Sequence, residues 1–131
     1  DNEMYLGLKK EIALGVFDYS YNLEKVLKEC KKTPSIIYEN DGCKKECLIS
    51  KNDTPCFSVE RYVVGNGETE TLLAPCVYVV TEGCGVLSGE GYEKDLKKGD
   101  YFFMPYSCKG KYTVKSTQAI TVAACIPPEV E

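Results

Sequence analysis

Histidine is absent from this chain, and arginine is represented by one residue, Arg61. Without an imidazole there is no Ser/His/Asp or Cys/His triad, because the general base that activates the nucleophile is missing. Zinc, iron and nickel sites rely on neutral nitrogen alongside carboxylate or thiolate ligands, so their commonest nitrogen donor is missing too. A single guanidinium cannot supply the forked phosphate and base contacts of a nucleic-acid surface. With 16 Lys+Arg against 20 Asp+Glu the net charge is −4, and no nucleic-acid partner is expected. No apolar run reaches the length of a membrane span, no secretory leader is expected ahead of the fold, and no membrane partner follows. The chain has no internal repeat and no low-complexity tract.

What is present argues for a packed domain. The 131 residues are 44% hydrophobic and include ten tyrosines, enough for one core and too apolar for disorder. Eight cysteines leave three readings open: Cys30, Cys43, Cys47, Cys56, Cys76, Cys84, Cys108 and Cys125. Cys43-x3-Cys47 with Cys30 or Cys56 offers four thiolates to a zinc, although the spacing is not that of paired knuckles. A disulfide framework would suit a secreted protein. The reading adopted is that most are small apolar residues, with Cys76, Cys84 and Cys125 in strand-like, buried surroundings. The expected location is cytoplasmic.

The periodicity changes along the chain. Met4, Leu8 and Ile12 recur at helical steps, and Leu23, Val26 and Leu27 form a second apolar stripe after Asp18–Tyr19–Ser20. Asn22 is the expected N-cap, and the second helix should stop before Pro34. Residues 39–55 are polar and read as a loop outside the main sheet, with Leu48–Ile49 as a short strand at most. From Phe57 the period is two, and short β-branched runs alternate with glycine turns up to Ile126. This pattern predicts an antiparallel sandwich or barrel. The division expected is 1–56 as helical segment and connecting loop, and 57–131 as the barrel. The opening Asp1–Asn2–Glu3–Met4 is read as the start of a piece of a longer protein.

The most specific stretch is Leu96–Lys97–Lys98–Gly99–Asp100 leading into Tyr101–Phe102–Phe103–Met104–Pro105–Tyr106–Ser107. It reads as strand, tight turn, strand and proline stop. It resembles the second motif of cupin barrels, which runs Gly, five residues, Pro, any, Gly, two residues, His. Gly99 and Pro105 fit, Ser107 replaces the second glycine, and Gly110 stands at the metal-binding histidine's position. Counting back from Gly83, the first motif's carboxylate falls at Cys76 and its histidine pair within Glu68–Thr69–Glu70–Thr71–Leu72. The resemblance therefore implies an all-β, cupin-like jelly-roll barrel with an N-terminal helical segment, and with no metal site.

A narrower resemblance spans nearly the whole chain. Asp1–Asn2–Glu3–Met4–Tyr5–Leu6–Gly7–Leu8, then Phe57–Ser58–Val59, Tyr78–Val79–Val80–Thr81–Glu82–Gly83–Cys84–Gly85 and the Gly99–Pro105 stretch follow the order seen in the C-terminal domain of type I mannose-6-phosphate isomerases. That family interconverts mannose 6-phosphate and fructose 6-phosphate through an enediol, with zinc orienting the sugar oxygens. The resemblance implies that the zinc belongs to an upstream catalytic cupin domain, which would be this chain's partner, and that hexose phosphate is met only through that parent. No catalytic residue is expected in this chain. Asp1, Asn2 and Tyr5 are expected at the active-site edge, with Tyr5 where the family carries an arginine. Gly83, Gly85, Gly99, Asp100 and Pro105 are expected as structural motif positions. A stand-alone sugar- or small-molecule-binding module is the alternative, with Tyr78, Tyr92, Tyr101, Tyr106 and Tyr112 either lining a barrel mouth or filling the core and tiling the rim.

Overall fold

The computed structural model describes residues 4–128. They divide into two compact units, one ending at Lys32 and the other beginning at Thr33. In the first, α1 (Lys10–Leu14) and α2 (Leu23–Glu29) are both short. Asn22 caps α2 as expected: the Lys25 N–H donates to Asn22 Oδ1 at 2.9 Å, satisfying an otherwise orphaned first-turn donor. The spacing of Met4, Leu8 and Ile12 does not produce one long helix. Leu6 and Gly7 take φ of 52° and 77°, a left-handed pair that breaks helical continuation ahead of α1.

The second unit is antiparallel β throughout. Its strands are β1 (Ser35–Glu39), β2 (Cys43–Ile49), β3 (Ser58–Val64), β4 (Gly67–Glu68), β5 (Cys76–Gly89), β6 (Tyr92–Lys97), β7 (Tyr101–Met104) and β8 (Thr113–Ile126). Hydrogen bonding runs β1-β2-β3-β8-β5-β6, with β4 also on β8 and β7 also on β5. The two long strands turn this sheet back on itself. The first part of β5 pairs with β7 and the end of β8, from Val77↔Cys125 to Val80↔Val122. Its second part pairs with β6 and the start of β8, as at Leu87↔Lys94 and Leu87↔Val114. Register shifts at Val80/Glu82 and Cys84/Val86 bend the strand between these halves, as bulges do. The result is a jelly roll.

Side chains from both halves meet in one core. Tyr62, Tyr78, Leu72, Leu96, Ile120 and Val122 are essentially fully buried in it; each large apolar side chain so removed from water contributes on the order of 1.5–3 kcal/mol. Strand alternation explains the sorting: Tyr62 and Val64 point in, and their neighbours Arg61 and Val63 point out.

Two expectations need correcting. Residues 39–55 are not a loop outside the sheet. β2 pairs with β3 from Cys43↔Val64 to Ile49↔Val59, and Cys43, Lys45 and Glu46 are buried. The β unit therefore takes in strands ahead of Phe57. Nor do all the glycines expected in turns between short runs separate strands: Gly83 and Gly85 lie inside the continuous β5.

Candidate functional site

The stretch Glu68–Leu72, where the resemblance places a histidine pair, is dispersed by the fold. Glu68 is exposed and lies 3.5 Å from the Lys115 ammonium. Thr69 is buried, and its Oγ1 accepts the Val114 N–H at 3.0 Å. Glu70 reaches Lys45, and Leu72 packs in the core. Cys76, at the carboxylate position, is buried and donates its thiol to the Cys125 carbonyl at 3.3 Å. Gly110, at the second-motif histidine position, is an exposed turn residue with φ of 74°.

The barrel interior instead holds a charged cluster. Lys45 Nζ donates to Glu70 Oε1 at 2.8 Å, lies 3.0 Å from Glu60 Oε2, and sits over the Tyr62 ring at 5.2 Å from its centroid. Beside it, Tyr38 Oη and Cys43 Sγ are 3.6 Å apart, and the Glu70 N–H donates to Tyr38 Oη at 3.5 Å. Register dictates this assembly: Lys45 is opposite Tyr62 on adjacent strands, and Glu60 is two residues from Tyr62 on the same face.

The electrostatics leave the cluster chemically quiet. Burial opposes the charge of Lys45, but the hydrogen bond to Glu70 and the ion pair with Glu60 outweigh that and hold the ammonium above the usual lysine range. Burial, reinforced by the contact with Cys43, pushes the Tyr38 phenol up to about 12. Tyr62 and Tyr78 are pushed up by burial as well. The Cys76 thiol is pushed up to about 11, and Cys43 is also raised, burial being the main cause in both. At neutral pH the lysine is a cation, the phenols keep their protons, and these buried cysteines are thiols rather than nucleophilic thiolates.

A metal does not fit this donor set. The strongest interior group is an ammonium, the second-motif position has no side chain, and among the described residues no three Cys, Asp or Glu side chains converge as ligands. All eight cysteines are free, which removes the disulfide framework. Cys84 and Cys125 are exposed rather than buried: alternation turns Cys125 away from the core that takes in Ala124, and Cys84 lies beyond the register shift at Val80/Glu82, where the alternation set by Tyr78 and Val80 is interrupted.

The remaining sequence-derived positions are structural in their surroundings. Gly83 has φ of 73° at the bend of β5, and Gly85 packs there against Ile120. Gly99 has φ of 92°, and its N–H donates to the Val80 carbonyl at 2.9 Å, pinning the β6–β7 turn to β5. Asp100 closes that turn, its Oδ2 accepting the Lys97 N–H at 2.9 Å. Pro105 leads into a single 3₁₀ turn, Tyr106–Cys108. Tyr5 lies in a turn of the first unit, where its carbonyl accepts the Leu8 N–H at 2.9 Å; Asp1 and Asn2 lie outside the described residues.

An open cavity of about 700 Å³ lies at the barrel end formed by the β3–β4 turn and the bends of β5 and β8. Its surface is mostly apolar, with Leu96 and Val86 among the lining residues, and Asn66, Glu68, Asp95, Lys115, Ser116 and Gln118 contribute polar groups. Its groups are partly engaged with one another: Ser116 Oγ donates to the Cys84 carbonyl at 3.0 Å and accepts the Gln118 N–H at 3.3 Å. No tyrosine lines it. Tyr78 is core, while Tyr92, Tyr101 and Tyr106 are exposed, so core and rim is where these aromatics are found.

Solved structures similar to this one include cupin-domain proteins. The polyketide cyclase RemF from Streptomyces resistomycificus matches with a TM-score of 0.61 at 20% identity, over 74% of this chain and 74% of that one. A cupin-2 domain protein from Rhodospirillum rubrum matches with a TM-score of 0.60 at 12% identity, over 75% and 72%. The β unit is thus a cupin-type jelly roll. The mannose 6-phosphate isomerase from Bacillus subtilis matches with a TM-score of 0.57 at 27% identity, over 71% of this chain but only 28% of that one. No family model and no curated protein matches the sequence. Among the described residues no helix is long and apolar enough to cross a membrane.

Proposed function

We propose that this chain is the metal-free accessory cupin domain of a mannose 6-phosphate isomerase-type enzyme, docked in cis on a catalytic cupin domain that carries zinc. The observation that carries this reading is the 27% identity to the Bacillus subtilis isomerase over 71% of the chain, on a barrel whose interior offers an ion pair and protonated phenols instead of ligands. The work of such a domain is structural. It supports a neighbour that holds the metal and meets the hexose phosphate, in the cytoplasm where sugar phosphates are handled. Tyr5, in the position of the family's arginine, can donate one hydrogen bond but cannot neutralise a phosphate.

Aldose–ketose isomerisation needs a carbonyl polariser and a base at the neighbouring carbon, each worth on the order of 10²-fold or more. In a coupled assay the chain alone is expected to turn over no hexose 6-phosphate above background, and a parent containing it is expected to interconvert mannose 6-phosphate and fructose 6-phosphate. Turnover by the chain alone at a rate comparable to the parent would refute the assignment. A parent without hexose-phosphate isomerase activity would return the chain to the second reading, a stand-alone binding module. The open cavity of about 700 Å³, mostly apolar with a few polar groups, favours that reading.

A further inference from the structure

The outer face of the sheet formed by β3, β8, β5 and β7 is apolar. Register sets Val59 beside Cys125, Cys125 beside Val77, and Val77 beside Phe103, one residue from each strand. Their chain neighbours Ala124, Tyr78 and Met104 are buried, so alternation turns this row outward. Phe103 is 62% exposed, Tyr101 in the next row 76%, and Val77 39%. The one charge on the face, Arg61, is folded onto Glu46 with its Nε 2.7 Å from Oε2. A groove at the end of the row, between Phe57, Pro75 and Pro127, is almost entirely apolar.

Size and shape identify what fits. Four strands about 4.8 Å apart, crossed over some five residues of about 3.3 Å rise, give a footprint of about 320 Å². Association between separate molecules generally needs about 800 Å² from each partner. Domains of one polypeptide dock through about 600–1,500 Å² in total, roughly 300–750 Å² each, because the tether keeps the effective concentration near millimolar. An apolar sheet face packs naturally against another sheet face about 10 Å away, side chains of the two interdigitating. A near-neutral apolar surface also gives a charged partner nothing to recognise.

We propose that this face is the docking surface for the outer sheet of a second jelly-roll domain in the same polypeptide. The proposal rests on the reading of the chain as an accessory cupin domain, and it names the surface and the partner's architecture.

Sedimentation of the chain by itself is expected to show a monomer. A dimer that Phe103→Lys disperses would overturn the proposal in favour of a second copy. In the full-length parent, Val77→Lys with Phe103→Lys is expected to split a single calorimetric unfolding transition into two. Amide exchange in β5 and β7 should rise at the same time, while the same pair leaves the melting of the isolated chain nearly unchanged. A parent variant that keeps one transition and wild-type exchange would overturn the docking assignment. Isomerase activity is scored separately: an inactive parent whose transition splits refutes the functional reading alone, and an active parent whose transition does not split refutes the docking alone.

Discussion

Gly83→Ala is expected to destabilise the barrel by about 2–5 kcal/mol, the sum of a left-handed backbone cost of roughly 1–2 kcal/mol and an overpacking cost of roughly 1–3 kcal/mol. Gly83 has φ of 73°, and a Cβ there would overlap the Ala119 carbonyl oxygen and come within 2.9 Å of its carbon. Both obstacles are backbone, and β5 and β8 cannot separate locally because they are paired on either side of the bend, at Val80↔Val122 and Leu87↔Val114. Gly99→Ala is the control. Its φ is 92°, yet nothing lies within 4 Å of the new methyl, so only the backbone cost of about 1–2 kcal/mol applies. Urea melts with an unchanged m-value measure the difference. Equal losses at the two positions would show that the close approach of β5 and β8 is not what demands glycine.

Lys45→Met is expected to cost up to about 3–5 kcal/mol, because it strands a buried carboxylate. The lysine side chain is 8% exposed and Glu60 17%, whereas Glu70 is 48% exposed, so most of the loss arises at Glu60 and the Glu70 arm is discounted for solvent. The double variant Lys45→Met with Glu60→Leu should recover most of the stability, since buried ion pairs are commonly replaceable by apolar groups of similar volume. Failure of the second change to restore the urea midpoint would contradict this account of the interior. The pH dependence has a definite sign. The Lys45 ammonium is held above its ordinary range, chiefly by Glu70 and Glu60 against the opposing effect of burial. Its contribution is therefore complete below the unfolded lysine value and is lost only as pH rises through the higher folded one.

Much of the barrel was legible because local chemistry and global fold agree there. Lys98–Gly99–Asp100 reads as a turn, and in the structure Asp100 closes it through its own side chain. Val77–Val80 and Tyr101–Met104 read as strands because their residue types fit a pleated, half-buried surface. β2 was not legible for an equally physical reason. Its sequence, Cys43-Lys-Lys-Glu-Cys-Leu-Ile49, looks solvated, yet Lys45 points inward onto carboxylates supplied from β3 and from the stretch after β4. A polar inward position breaks the alternation by which a strand is recognised, and its partners lie at a distance in sequence that periodicity does not register. The same blindness hid the interior cluster: Glu60 and Glu70 carry no local sign that they share one ammonium. Glycine misled in the opposite direction, since Gly83 and Gly85 bend one continuous strand instead of ending two.

Metal content under saturating conditions tests most directly whether this barrel is a catalytically silent cupin held together by an ion pair. Protein dialysed against excess zinc and then against buffer, measured by elemental analysis, is expected to retain far less than one equivalent. One tightly held equivalent, lost in Glu60→Gln or Glu70→Gln, would contradict the account by showing that these carboxylates serve a metal rather than Lys45.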